Sequence, residues 1–243
     1  MRVIGGVINP LMVVMSVRDF RISWYWIHRV DFLDKLIIKY YPHHEAYQVA
    51  LDFIKKHPEY THVLLHADDI ISTPEHVKLL IKDWYILRKR FERFIVSGYV
   101  NWDLKHYWVN VTSKDLSREY VVSPLQYKFF TLYDVLKPDF PYPFIKVFFV
   151  GNPLTLIPRD VFIEWGAKPY KWIYDNTLGM IMRRGIMFDL SLAIWCKKNN
   201  IPIIVDLRCL TLHFGDTRRF INLKGKEGRV FFIRRKKPLV INI

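Results

Sequence analysis

The chain has 243 residues, 51% of them hydrophobic and 16% aromatic, so it can bury a large core as one domain. No apolar run reaches the roughly 20 residues that a membrane span requires, and the start of the chain lacks a signal-peptide pattern, so we expect a soluble, cytoplasmic protein. Lys and Arg outnumber Asp and Glu by 37 to 23, which gives a net charge of +14 and favours an anionic partner: a nucleotide diphosphate, nucleic acid or acidic lipid. The two cysteines, Cys196 and Cys209, lie in apolar patterns without metal-ligand spacing, which indicates buried thiols.

Strands and helices alternate over the first third of the chain. Short apolar runs predict strands at residues 11–16, 35–40 and 62–65. Helical spacing of apolar residues predicts helices at about 22–28, at about 45–56 and from Pro74 onward. This alternation predicts an α/β fold with a mostly parallel central sheet flanked by helices.

The third predicted strand ends in adjacent carboxylates, in the sequence His66-Ala67-Asp68-Asp69. Binding sites in open α/β sheets lie just beyond the carboxyl ends of strands, and hard divalent cations prefer oxygen ligands. Asp68 and Asp69 therefore predict a metal-bound phosphate at this edge. The alternative is that both are turn and helix-cap residues before Pro74.

An aromatic, Pro-interrupted region follows a further strand at residues 94–100 and extends to Phe144. Its aromatic side chains either form core or offer flat surfaces on which the C–H face of a sugar ring can pack. They are Trp102, Trp108, Tyr120, Tyr127, Phe129, Phe130, Tyr133 and Tyr142.

The block at residues 147–162 is predicted to form two short strands and a helix, with Gly151 near the end of the first strand. Gly151 either lets a substrate approach the backbone closely or marks a bulge.

Residues 185–215 are predicted to form a helix, a turn and a strand, followed by an isolated histidine. Asp189 opens the helix and His213 follows the strand. Each also has a plain structural interpretation, because Asp often caps helices and a lone histidine at a strand end is usually structural.

A basic segment closes the chain. We divide the sequence into a domain at 1–215 and an extension at 216–243 that packs on or flanks it, with strands at 229–233 and 239–243. The basic residues of the extension are expected to form a solvated surface. The alternatives are a contact with a membrane surface, which would make this a peripheral membrane protein, or a contact with nucleic acid.

The order of these segments resembles the GT-A class of nucleotide-sugar glycosyltransferases, in particular its family 2-like members. In that class a strand, a DxD motif and a turn precede a late acidic residue that opens a helix, and a strand ending in His follows. The resemblance covers roughly residues 11–215. It implies a GT-A-like domain that moves a sugar from a nucleotide-diphosphate sugar to a hydroxyl of a glycan, protein or lipid acceptor, with inversion and with metal assistance.

Carried over residue by residue, the resemblance implies that Asp68 is the last metal-binding Asp of the motif, and that Asp69 and His213 help it to hold Mn²⁺ or Mg²⁺. Asp189 would accept the proton of the acceptor hydroxyl in an inverting reaction, or orient the acceptor in a retaining one. The sequence departs from the family at His66, where an acidic residue is common. His66 would ligate a transition metal such as Mn²⁺, contact the nucleotide, or mark a lost metal dependence.

Further residues are candidates for the nucleotide. Ser16 and Arg18 follow the first strand, and Tyr40 at the end of the second can stack on a base. Arg218 and Arg219 would close over the diphosphate as part of a lid and supply positive charge.

Two other classes use the same residues. A metal-dependent nuclease or phosphotransferase would combine Asp68 and Asp69 with the basic surface, but no further acidic cluster supports it, so nucleic acid is not the expected partner. A noncatalytic GT-A-like binding protein would keep ligand recognition after the first DxD carboxylate became His66. Hydrolysis of the donor separates the enzyme from the binding protein.

Overall fold

The computed structural model describes residues 8–16, 21–41, 43–103, 106–116, 128–168, 174–175, 182–183, 188–213 and 227–241. Its strands are β1 (Pro10–Ser16), β2 (Asp34–Lys39), β3 (His62–Ala67), β4 (Ile70–Ile71), β5 (Ile95–Asp103), β6 (Trp108–Val109), β7 (Val111–Thr112), β8 (Phe144–Val147), β9 (Phe149–Val150), β10 (Leu154–Pro158), β11 (Tyr174–Asp175), β12 (Met182–Arg183), β13 (Ile203–His213) and β14 (Arg229–Ile233). Its helices are α1 (Arg21–Arg29), α2 (His43–Lys56), α3 (Pro74–Leu87), α4 (Leu132–Val135), α5 (Arg159–Trp165) and α6 (Phe188–Lys198).

A mixed sheet forms the centre of one α/β domain. Its strand order is β14-β2-β1-β3-β10-β5-β13-β4, with β6 added on β5 and β8 on β13. Only β1 with β2, β1 with β3, and β5 with β13 pair in parallel among the described strands, and the other pairings of this sheet are antiparallel. The expectation of a mostly parallel sheet is therefore wrong. Six of the nine pairings described for this sheet are antiparallel, and β10 lies antiparallel to both of its neighbours, β3 and β5.

The predicted elements of the first third are confirmed. The strand at 11–16 is β1, the strand at 62–65 is the core of β3, and the helices at about 22–28 and 45–56 are α1 and α2. The helix from Pro74 is α3, whose capping residue Thr73 accepts a hydrogen bond from the His76 backbone N–H. The strand at 35–40 ends one residue early, because Tyr40 has φ of 60° and leaves the extended conformation.

Apolar side chains cover both faces of the sheet, as the alternation along β1 illustrates. Leu11 and Val13 belong to the cluster that includes α2, α5 and α6, whereas Met12 and Val14 belong to the cluster that includes α1 and α3. All four are fully buried, and burial of each such side chain contributes roughly 1.5–3 kcal/mol. Packing on both faces fixes the strands, and therefore the loops at their ends.

The C-terminal extension joins the sheet. Residues 229–233, predicted as a strand, form β14 and pair antiparallel with β2. Gly228 precedes β14 at a close approach, since a Cβ there would lie 2.7 Å from the Tyr41 ring. The second strand predicted in the extension is not formed at 239–241, and residues 242–243 lie outside the described part. Among the described helices, none combines the length and the apolar character that crossing a bilayer demands.

Candidate functional site

Three parallel strands end at one edge of the sheet, where the sequence predicted a site. The register pairs Ser16 of β1 with Lys39 of β2, and Met15 of β1 with Ala67 of β3. The residues that follow β3, Asp68 and Asp69, therefore lie at the same edge as the ends of β1 and β2. This is the position at which open α/β sheets hold ligands.

His213 and Asp69, two of the three predicted metal ligands, come together at this edge. The two-residue strand β4 pairs antiparallel with the end of β13, which places His213 opposite Ile70. The His213 Nε2 atom lies 3.4 Å from Asp69 Oδ2, and their side chains are only 16% and 14% exposed. Asp69, rather than Asp68, is thus the carboxylate in contact with His213.

Asp68 and Asp69 both line a cavity of about 190 Å³ at the edge of the sheet. Asp68 is 7% exposed, so its carboxylate is held within the fold and not on a solvated turn. Charged groups at such burial need partners or ligands, because water no longer solvates them. We call this space, with Met15, Tyr47, Leu65, His66, Asn152 and Phe188 among its walls, the polar cavity.

His66 lines the polar cavity, but both of its ring nitrogens have protein partners. Nδ1 lies 2.6 Å from the Ala67 carbonyl oxygen, which can only accept, so Nδ1 carries the proton. Nε2 lies 2.6 Å from the Ser72 hydroxyl and accepts its hydrogen. Burial lowers the pKa of His66 to about 4, which keeps the ring neutral. The geometry does not support a metal-ligand role for His66; the residue ties β3 to the turn before α3.

Asp189 lies in the first turn of α6. Phe188 fixes this turn by stacking on Tyr47 of α2 with ring centroids 4.1 Å apart. Asp189 Oδ1 accepts a hydrogen bond of 2.9 Å from the Leu190 backbone N–H, so the carboxylate satisfies one free N–H group in the first turn of the helix. Burial nevertheless raises the pKa of Asp189 to about 6, although the backbone hydrogen bonds oppose the shift. A carboxyl group with this pKa exchanges its proton near neutral pH, as a general base must.

Gly151 faces Asp189 across the site. A Cβ at Gly151 would lie 3.5 Å from Asp189 Oδ2 and 3.1 Å from the side-chain nitrogen of Asn110. The Asn110 amide also holds two strands in place, because its Oδ1 accepts from Val100 N–H and its Nδ2 donates to the Gly151 carbonyl. Gly151 therefore sits where the backbone approaches the side chains of Asn110 and Asp189, and a Cβ there would be crowded against the Asn110 amide.

Two residues of this site were missed by sequence reasoning. Asn110 lies between the short strands β6 and β7 in a region without a clear periodicity, so no signal marked it. Asn152 is part of the turn Gly151-Asn152-Pro153 and has φ of 23°, a conformation that few residues other than Gly and Asn adopt. Its side-chain nitrogen is buried and lies beside the Tyr47 hydroxyl, and the Asn-Pro turn signal could have drawn attention to it.

A second cavity, of about 340 Å³, adjoins the first, and we call it the aromatic cavity. Trp102, Phe129 and Phe149 form part of its wall, with ring centroids 5.5 Å apart for Trp102 and Phe129 and 6.1 Å apart for Phe129 and Phe149. Asp69, Gly151 and Asp189 line both cavities, and His213 lines the aromatic one. Asp189 therefore lies between the polar cavity and the aromatic cavity.

The predicted metal ligands are brought together only in part. Within the described residues, no group of three or more His, Cys, Asp or Glu side chains is arranged to hold a metal ion by itself. Asp69 and His213 offer one oxygen and one nitrogen at short distance, a pair that suits Mn²⁺ better than Mg²⁺. Ions that carry substrate phosphates are commonly held by one or two protein carboxylates, with the phosphates and waters completing the coordination. The residues present fit an ion of that kind.

The remaining predicted nucleotide contacts are less well defined. Ser16 ends β1 at the site edge. Tyr40 follows β2 at the same edge, but it does not line either cavity, and its ring centroid lies 5.8 Å from Lys39 Nζ. Arg18, Arg218 and Arg219 lie outside the described residues.

Comparison with protein-family models gives no match, and comparison with curated proteins gives none either. Among solved structures, the chain is similar to the crystal structure of A197 from STIV. The TM-score is 0.50, the identity is 13%, and the match covers 88% of this chain and 98% of A197. At this identity the likeness concerns the fold alone, and it supports a single mixed α/β domain shared by the two chains.

Proposed function

We propose that this chain is a GT-A-like glycosyltransferase that moves a sugar from a nucleotide-diphosphate sugar to an acceptor hydroxyl, with inversion and with help from Mn²⁺ or Mg²⁺. The observation that carries the proposal is the position of Asp189. This residue borders both cavities, lies beside Gly151, and has a pKa raised to about 6 by burial.

The polar cavity takes the diphosphate in this proposal. Asp69 and His213 hold the ion, and Asp68 supports them from the buried side of the turn. A bound divalent ion supplies positive charge for the departing nucleoside diphosphate. The cationic surface of the chain, with its net charge of +14, favours arrival of such an anionic donor.

The aromatic cavity takes the sugar that is transferred or the acceptor that receives it. The rings of Trp102, Phe129 and Phe149 offer apolar surface to the C–H faces of a sugar. Because Gly151 has no side chain, a hydroxyl group can come within hydrogen-bond reach of Asp189 Oδ2. Asp189 then accepts the proton of that hydroxyl as it attacks the sugar carbon. The acceptor belongs to the glycan, protein or lipid classes.

Release of nucleoside diphosphate from a panel of nucleotide sugars tests this proposal. The protein is incubated with each donor and Mn²⁺, with and without simple glycoside acceptors, next to the Asp189→Asn and Asp69→Asn variants. Release by the parent and loss of release in both variants is the expected result. Binding of a nucleoside diphosphate without any release would indicate the noncatalytic binding protein, and Asp69-dependent cleavage of DNA or RNA would indicate the nuclease.

A further inference from the structure

A third cavity, of about 670 Å³, lies between the C-terminal extension, the end of α1 and the start of α3. It shares no lining residue with the polar or the aromatic cavity. Six cationic side chains line it, and we call it the basic cavity: Arg29, Lys35, Lys78, Arg234, Lys236 and Lys237.

Among the described residues, two carboxylates near the cavity oppose the charge of its six cations. Asp31 is the carboxylate among the described lining residues, and Lys237 Nζ already binds its Oδ2 at 2.7 Å. Asp34, close by, accepts hydrogen bonds from the Tyr60 hydroxyl and the Arg235 backbone N–H, each at 2.7 Å, and its Oδ2 lies 3.8 Å from Arg234 Nη1. Positive charge therefore exceeds negative charge around this cavity by a wide margin.

The excess of positive charge is most unfavourable at Lys35, because this residue is only 3% exposed and water does not solvate its ammonium group well. Its ammonium group donates one long hydrogen bond, of 3.4 Å, to the Leu33 carbonyl, and no other acceptor for it is found among the described residues. An ammonium group has three donors, so two are left for a ligand or water. Burial lowers the pKa of Lys35, and Asp31 and Asp34 only partly oppose this.

The positive charges of the basic cavity also act on His28, which is one of its lining residues. Burial lowers the pKa of His28 first, and the charges of Lys35, Lys236 and Lys39 lower it further. Six cations beside two carboxylates repel one another and reduce the stability of the folded chain, and an anion bound among them would reverse that effect.

We propose that the basic cavity binds a multiply charged phosphate group, carried by a free polyphosphate compound or by an anionic lipid headgroup. Lys ammonium groups and the forked guanidinium groups of Arg29 and Arg234 are suited to phosphate oxygens. Lys78 and Pro74 lie in the first turns of α3, whose N-terminal end adds partial positive charge. The size of the cavity and its six cations exceed what one singly charged anion needs.

Titration calorimetry with inorganic tripolyphosphate, without divalent cations, tests the free-phosphate source. Co-sedimentation with vesicles of phosphatidylcholine mixed with phosphatidic acid, compared with phosphatidylcholine alone, tests the lipid source. Lys78 and Lys236 are exposed, so the double variant Lys78→Gln, Lys236→Gln should fold normally and lose about tenfold in affinity for each lost charge-assisted contact. Lys35→Met keeps the volume of the buried side chain and should also weaken binding.

Two controls separate this site from general charge and from the candidate active site. The double variant Lys55→Gln, Lys56→Gln removes the same charge from the exposed end of α2 and should change the affinity by less than about threefold. Asp69→Asn should leave tripolyphosphate binding unchanged. The proposal is overturned if the parent binds neither probe, or if both lysine double variants lose affinity equally.

Discussion

Replacement of Asp189 by Asn separates a catalytic carboxylate from a helix cap, because only the catalytic role predicts a loss of sugar transfer. An Asn side chain is nearly isosteric, and its carbonyl oxygen can still accept the hydrogen bond that Asp189 Oδ1 accepts from Leu190. What Asn lacks is the ionisable group. The variant therefore removes the charge and keeps the cap.

The expected change in folding stability follows from the pKa of Asp189, which is about 6 in the folded chain against 3.8 for the free side chain. Because the folded state holds the proton more tightly, the parent loses stability as the pH rises from about 4 to about 6. The difference corresponds to about 3 kcal/mol, at about 1.36 kcal/mol per pKa unit. Asn cannot ionise, so Asp189→Asn should be more stable than the parent at pH 7.5 by up to this amount, and the gap should close as the pH falls to about 4.

Urea unfolding between pH 4 and 8 and turnover on the same preparations check both parts of this prediction. Sugar transfer should fall by about 10² to 10⁴, the contribution of a positioned general base. Glu75→Gln is the matched control, since Glu75 is an exposed acid in the first turn of α3 and should cost only about 0.3–1 kcal/mol through the helix dipole. Turnover of the variant within a few-fold of the parent would refute the base assignment and leave Asp189 with a structural role in the first turn of α6. A variant no more stable than the parent at pH 7.5 would refute the raised pKa.

Three further predictions concern the walls of the site. Asp69→Asn and His213→Ala should each abolish the extra thermal stabilisation of the protein that Mn²⁺ gives in the presence of a nucleoside diphosphate, whereas Asp68→Asn should reduce it less. Thermal shift measures this effect, and the opposite order would make Asp68 the main ligand. Gly151→Ala should lower turnover at least about tenfold, since a Cβ 3.5 Å from the Asp189 carboxylate occupies the space where the hydroxyl must come, and unchanged steady-state kinetics would contradict this. Trp102→Ala should raise the KM for the acceptor and leave nucleoside diphosphate binding intact, which calorimetry and kinetics distinguish from a general loss of folding.

Much of the fold is readable from the sequence, because short apolar runs and their spacing depend on burial alone. Residues 11–16 and 229–233 are examples, since each is a strand with the bounds expected or within one residue of them. The direction of a strand is not readable in this way. The apolar run of β10 has the same composition whether it pairs parallel or antiparallel with β3, so the mixed character of the sheet stayed hidden.

The position of the site could also be predicted from the sequence, although its contacts could not. Carboxylates after a buried strand point to the carboxyl edge of a sheet, and Asp68 and Asp69 lie there. The contact between Asp69 and His213 depends on β4, a two-residue strand too short to give a periodic signal. The role of His66 depends on its hydrogen bond to Ser72, a contact six residues away that composition does not reveal.

Metal-coupled binding of a nucleoside diphosphate tests whether the diphosphate and Asp69 share one ion. Calorimetry or thermal shift is carried out with uridine, guanosine and adenosine diphosphates, with and without Mn²⁺, on the parent and on Asp69→Asn. We expect nucleotide and ion together to stabilise the parent more than either alone, by about 2.7 kcal/mol at a ligand concentration of about 100 times the dissociation constant, and Asp69→Asn to remove the coupling. Equal binding of every nucleotide with and without the ion, or coupling that survives in Asp69→Asn, would contradict a shared metal and diphosphate site at the end of β3.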